Sequence, residues 1–300
     1  MPLPPSALDK LIQAIPEIQN LTLIDGTGGF KAVYRAQVNG NDEALKLIQI
    51  PDYPGHSDPD ALRQELITRV RREVSILGRC QSPTIVKLGS LPLREITVDA
   101  ERYLVYTEEL LNGDNLWKIL NSGGAKPDLG ELKQLFATLI KAITELWGLD
   151  GTIHRDIKPQ NIIKLNEPAR PFVLLDLGIA YVVNETGITL DPSHRAPMTY
   201  RYMAPEMGHP NFRDTFDFRT DIYTAGLTVF EYAAQQHPIA DSKDDALRTM
   251  SRALRQLPKS LKDFRSDLPP QFCARIDQTL KKLPALRPNN LQTLLAEMEN

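Results

Sequence analysis

The chain has 300 residues, 42% of them hydrophobic and 24% charged, which is the composition of an ordinary globular protein with room for one large domain or two lobes. A formal net charge of −3 gives no general electrostatic reason to expect nucleic acid as a partner. The two cysteines, Cys80 and Cys273, lie far apart and outside any C-x-x-C pattern, which argues against a disulfide framework or thiolate metal site and suits a reducing cytoplasm.

The opening MPLPPSALDK has no basic region followed by an apolar run, so it does not read as a secretory signal. SALDKLIQAI then offers a serine cap and helical apolar spacing, ended near Pro16. Its apolar residues Leu11, Ile12 and Ile15 suit either packing on the following strands or recruitment of a partner. Residues 21–50 read as strands: LTLIDG, FKAVYRAQV and EALKLIQI, the last two joined by an NGN turn. From Ala61 to Cys80, Leu62, Leu66, Val70, Val74 and Leu77 recur at helical spacing.

Further strands are predicted at TIVKLGSL and ERYLVYTEEL. Beyond LNGDN the periodicity is helical, over 115–121, 129–148, 219–235, 243–256, 270–283 and 289–299. The greasiest run, PFVLLDLGIAYVV, is broken by Asp176 and too short to span a bilayer. A strand-rich first third and a helix-rich remainder predict an α+β protein of two lobes, with 1–20 as an N-terminal extension, 21–110 as a small lobe and 111–300 as a large one.

TIHRDIKPQNII, residues 152–163, sets His154, Arg155, Asp156, Lys158 and Asn161 between apolar pairs. Such groups are costly to dehydrate without partners, so the segment asks for a chemical role. Other marked stretches stand in order around it: GTGGFKAVYRA, EALK, RREVSIL, DLG, APE, DIYTAG and LRP. In these motifs and their order the chain resembles the eukaryotic-type (Hanks-type) serine/threonine protein kinases, from about Leu21 to the end. The resemblance implies a bilobal fold, with a small antiparallel β-sheet lobe carrying one key helix and a larger, mainly α-helical lobe.

It also implies ATP-dependent phosphoryl transfer to Ser/Thr hydroxyls of a protein substrate, with Mg2+ or Mn2+ as the metal. Asp156 would take the acceptor's proton and Lys158 would place a cation beside the moving phosphate. Asn161 and Asp176 would supply the oxygen ligands magnesium prefers. Lys46 would contact the phosphates, held by an ion pair to Glu73. Gly26, Gly28 and Gly29 would lie over the phosphates, with Val33 and Ala44 covering the adenine and Ile162 or Ile163 beneath it. Backbone groups of Glu108 and Leu110 would bond the adenine edge, Thr107 would stand at the rear of the pocket, and Asp114 would reach the ribose or a basic substrate residue.

Two departures stand out. Lys31 occupies the place of the third glycine in G-x-G-x-x-G-x-V, where it would either point into solvent or add a second cation over the phosphates. The with-no-lysine kinases look similar in this loop but lack the strand lysine, and this chain has both. The second departure is DLG for DFG, where Leu177 can fill the same apolar slot.

Asp221 would bond the backbone around His154 and Arg155, and Glu206 and Arg287 would form a buried ion pair. His154 would be a packing residue rather than an acid or base. Thr186, Thr189 and Ser193 are candidate autophosphorylation sites whose phosphate could pair with Arg155. Thr199 stands where the family's acceptor-contacting threonine stands. Two rival readings stand beside it: a pseudokinase serving as a scaffold on the same fold, and a small-molecule kinase or another nucleotide transferase on a related fold.

Overall fold

The computed structural model describes residues 5–25, 30–53, 55, 57–177, 181–182, 200–208, 216–241 and 243–299. The glycines at 26, 28 and 29, and the hydroxyls of Thr186, Thr189, Ser193 and Thr199, fall outside these residues. The chain divides into two compact units, one of residues 1–80 and 86–112, the other of residues 81–85 and 113–300.

The first unit opens with helix α1 (Pro5–Ala14) and strands β1 (Ile18–Asp25), β2 (Lys31–Val38) and β3 (Asn41–Ile50). Helix α2 (Pro59–Arg79) follows, then the hairpin β4 (Arg94–Val98) and β5 (Glu101–Glu109). Asp58 caps α2 by accepting from the Ala61 amide at 2.9 Å, and Pro59 occupies the first turn, where its missing N–H costs nothing. The sheet is antiparallel in the order β1-β2-β3-β5-β4.

Strand β4 is absent from the sequence reading, which placed a strand at TIVKLGSL instead. That segment makes only isolated bridges, and the true hairpin turns at Asp99 and Ala100, both at positive φ. Neither residue is a glycine, so the turn carries no strong sequence signal.

The sheet is covered on both faces, and strand parity decides which side chain meets which helix. Leu45, Leu47, Tyr103 and Val105 lie in one cluster with Leu11 and Ile15 of α1. Ile48, Ile50, Leu104 and Tyr106 lie in another with Ile67 and Val70 of α2. Leu11 and Ile15 are fully buried and Ile12 packs against the same cluster. The helix is therefore part of this unit's core, and its apolar residues are spent on packing.

The second unit carries the short strand β6 (Gly113–Asn115) and helices α3 (Leu116–Asn121) and α4 (Leu129–Gly148). Strands β7 (Thr152–Ile153), β8 (Ile162–Leu165), β9 (Phe172–Leu174) and β10 (Tyr181–Val182) come next. Helices α5 (Phe218–Ala234), α6 (Ala246–Arg255), α7 (Pro270–Thr279) and α8 (Leu291–Glu299) complete it. Strands β6, β8 and β9 form a three-stranded antiparallel sheet.

Helix α4 buries Leu132, Leu135, Phe136, Leu139, Ile143 and Leu146, the stripe expected of a 3.6-residue period. Helix α5 is buried on every side from Thr220 to Ala234 and packs on α4 and α7. Gly226 makes that approach possible, because a Cβ there would collide with the Thr279 hydroxyl. No helix among the described residues is long and apolar enough to cross a membrane.

Candidate active site

In the first unit the chemistry sits on the sheet face that α2 covers. Lys46 stands opposite Val33 of β2 and Tyr106 of β5, and Ala44 stands opposite Glu108. Partners directly opposite, and residues two apart, share a face, so Val33, Ala44, Lys46, Tyr106 and Glu108 are all on this one. Lys31, half-buried and opposite Ile48, is on it as well.

Lys46 is buried, and its Nζ lies 2.9 Å from Oε2 of Glu108, itself buried. The expected ion pair to Glu73 is corrected here: Lys46 pairs with Glu108, whereas Oε1 of Glu73 accepts from the Tyr106 hydroxyl at 2.9 Å. A one-residue offset in strand parity explains the difference, because sequence reading assigned Glu108 only its backbone.

The same parity corrects Thr107. It lies on the opposite, α1-side face with Leu45, and its hydroxyl accepts from the Leu91 amide at 3.0 Å. The amides of Thr107 and Glu109 donate to Leu91 and Lys87, so the alternating main chain of Glu108 turns to β3, in register with Ala44. The Glu108 backbone is thus committed to the ladder rather than offered to a base. Leu110 lies just past the end of β5 and is half-buried.

In the second unit, the loop from β7 to β8 gathers the polar residues of the HRDIKPQN stretch. Asp221, near the start of α5 and 1% exposed, accepts from the amides of His154 at 2.7 Å and Arg155 at 2.8 Å. Burial pushes its carboxyl above the usual aspartate range, opposed by the nearby His154 and by those two N–H donors. This is the arrangement expected of Asp221. It fixes a loop whose Arg155 sits at φ 68°, in the left-handed region that a non-glycine residue enters only at a cost.

His154 is fully buried, with Nε2 3.1 Å from the Leu175 carbonyl and Nδ1 accepting from the Asp156 amide at 3.2 Å. Both ring nitrogens are engaged with backbone, in keeping with a packing role.

Asp156 Oδ2 receives Lys158 Nζ at 2.6 Å and Asn161 Nδ2 at 3.0 Å, and the same amide nitrogen donates to the Asp156 carbonyl at 2.9 Å. Asn161 closes a short 3-10 turn starting at Pro159, and its carbonyl accepts from the Leu175 amide at 2.8 Å. That bond ties the loop to the segment carrying Asp176, which stands at φ 62°. Leu177 after it is buried, as its apolar slot requires. Asn161 spends its amide nitrogen on Asp156, which leaves Oδ1 for a metal. Asn161 Oδ1 and the Asp176 carboxylate are the hard oxygens that would suit a magnesium ion completed by water and phosphate.

Asp114 lies in β6, exposed and paired with Lys118 at 2.6 Å. Ile162 is fully buried and Ile163 half-buried. Sequence reading missed the Glu108 carboxylate and the hydroxyl of Tyr106. The signal available for both was the alternation of β5 taken in register with Lys46.

Residues 21–298 match the protein kinase domain model. The dual specificity mitogen-activated protein kinase kinase mek-1 of Caenorhabditis elegans is 33% identical over 156 residues, which are 52% of this chain and 42% of that protein. The probable serine/threonine-protein kinase PknB of Corynebacterium glutamicum is 25% identical over 286 residues, 95% of this chain and 41% of that one. The first four relatives are each covered over only 24% to 42% of their length. A mutant form of the Mycobacterium tuberculosis PknI kinase domain superposes with a TM-score of 0.60 at 20% identity, covering 94% of this chain and 95% of that one. That likeness carries the fold, an antiparallel sheet unit and a helical unit of α+β class. With a domain match that spans nearly its whole length, this chain belongs to the protein kinase domain family.

Proposed function

We propose that the chain transfers the terminal phosphoryl group of ATP to Ser/Thr hydroxyls of protein substrates, with Mg2+ or Mn2+ bound. The observation that carries the reading is the Asp156 carboxylate held between Lys158 and Asn161 on a loop pinned by Asp221. The acceptor hydroxyl gives its proton to Asp156 as its oxygen bonds to phosphorus, and ADP leaves with the electrons of the broken P–O bond. Lys158 places positive charge beside the group in transit. Asn161 and Asp176 would hold the metal, which would supply positive charge against the phosphate oxygens. Lys46 is the phosphate-binding cation of the sheet unit.

Residues 21–110 serve as the nucleotide lobe and 111–300 as the acceptor lobe. Bacterial relatives named as serine/threonine kinases support Ser/Thr acceptors. The two buried cysteines, neither in a disulfide, suit the cytoplasm. Autophosphorylation falls on Thr186, Thr189 or Ser193, and phosphopeptide mapping after incubation with Mg-ATP checks it.

One observation favours the scaffold reading: Lys46 is engaged by Glu108 rather than Glu73. Incubation of wild type and Asp156→Ala with labelled ATP, magnesium and acceptor proteins separates the two. Label on Ser/Thr that disappears in the variant supports the kinase. ATP bound without any transfer by the wild type supports the scaffold.

A further inference from the structure

We infer that Glu108 is a positioning residue that withholds Lys46 from the triphosphate, so that nucleotide affinity is set by competition between a protein carboxylate and phosphate for one ammonium group. The inference rests on the reading of Lys46 as the phosphate-binding cation. Three observations carry it, all within the sheet unit. The Lys46 Nζ lies 2.9 Å from Glu108 Oε2, with both side chains nearly inaccessible to solvent. The second carboxylate oxygen, Oε1, is buried and has no hydrogen-bond partner among the described residues, so Lys46 is what compensates the charge of Glu108. Glu73 of α2 accepts through Oε1 from the hydroxyl of Tyr106, which lies on the same sheet face as Lys46.

A lysine neutralised at contact distance offers an anion little net attraction. A phosphate that reaches Lys46 also meets Glu108 as a like charge a few ångströms away, in surroundings that screen poorly. If Lys46 turns wholly to phosphate, it leaves a buried carboxylate uncompensated, a state that is strongly unfavourable. Binding of the triphosphate therefore works against Glu108. Sequence position alone conceals this, since the glutamate sits in a run, TEEL, where only strand parity says which carboxylate faces inward.

The test measures dissociation constants for ATP and for adenosine, together with KM for ATP and kcat, in wild type, Glu108→Gln, Glu108→Met and Glu108→Asp. Gln keeps the volume and an acceptor for Lys46 while removing the charge. Met removes the charge in an apolar shape, and Asp keeps it. The expected result is ATP bound roughly tenfold more tightly by the Gln and Met variants, with KM falling in step and kcat changed less. Glu108→Asp stays near wild type, and adenosine affinity is the same in all four. Unchanged or weaker ATP binding in both neutral variants, or an adenosine shift as large as the ATP shift, overturns the inference while leaving the kinase reading intact. A wild-type chain that binds no ATP removes both.

Discussion

Both guanidinium arms of Arg287 donate to the Glu206 carboxylate, Nη1 to Oε1 at 2.7 Å and Nη2 to Oε2 at 2.8 Å. The pair is buried and well satisfied. Thr220 donates to Oε1, Arg287 donates further to the carbonyls of Arg219, Lys281 and Lys282, and its guanidinium lies 4.6 Å from the Tyr223 ring centre. Removing one partner strands the other's charge, so Arg287→Met is expected to cost about 3–5 kcal/mol in urea unfolding. The double variant Arg287→Met/Glu206→Gln should recover part of that loss. A double variant as unstable as the sum of the singles would show that the two charges do not compensate one another.

His237 gives stability a dependence on pH. Its ring is buried, with Nδ1 accepting from the amides of Ile239 at 3.1 Å and Ala240 at 2.8 Å. Burial, and after it the Arg201 guanidinium, holds its pKa well below the ordinary histidine value, so the folded protein keeps it neutral. The unfolded chain takes up a proton near pH ~6.5 that the fold refuses. Stability from this residue is thus complete above that pH and declines as pH falls, by up to ~1.4 kcal/mol per unit. Urea unfolding of wild type and His237→Gln at pH 7.5, 6.5 and 5.5 checks it. The expected result is a flatter profile in the variant, and equal slopes would exclude His237 as the source.

Gly89 is enclosed by the polar groups that hold its own segment. Glu43 accepts from the Ser90 amide at 2.9 and 3.0 Å, and Thr107 accepts from the Leu91 amide at 3.0 Å. A Cβ at position 89 would collide with both acceptors. Gly89→Ala is therefore expected to cost about 1–3 kcal/mol through buried donors left unsatisfied. Gly148, the last residue of α4, has open space around its Cβ position, and Gly148→Ala should be neutral or stabilise by about 0.4–1 kcal/mol. Thermal melts of the two variants that shift equally would disprove the contrast.

What could be read from the sequence follows the distance between partners. His154, Asp156, Lys158 and Asn161 fall within one short stretch, so their spacing alone announces a constellation, and the structure gathers them on one loop. The bonds from Asp221 and the Glu206–Arg287 pair were also anticipated, through motif order, although the partners lie 66 to 81 residues apart. The pairing of Lys46 was not. Glu73 and Glu108 are both acidic and both near, and the choice between them depends on cross-strand register, which is a tertiary fact. The same single-residue parity separates Thr107 from Glu108. The hydroxyls of Thr186, Thr189, Ser193 and Thr199 were legible as chemistry, and they lie outside the described residues.

Lys46 and Lys31 share a sheet face, and their burial predicts unequal roles. Lys46 is 4% exposed and sits centrally, opposite both Val33 and Tyr106, whereas Lys31 is half-buried at the beginning of β2. A buried ammonium meets a phosphate in surroundings that screen little, and a partly solvated one does so less effectively. Lys46→Met should therefore abolish phosphotransfer, while Lys31→Met lowers it about tenfold or less. Because Lys46→Met also leaves the Glu108 carboxylate uncompensated, the companion variant Lys46→Met/Glu108→Gln separates a folding defect from a chemical one. It should melt closer to wild type and remain inactive. Turnover of labelled ATP at saturating magnesium ranks the variants, and a Lys31→Met protein more impaired than Lys46→Met would move the phosphate cation from β3 to β2.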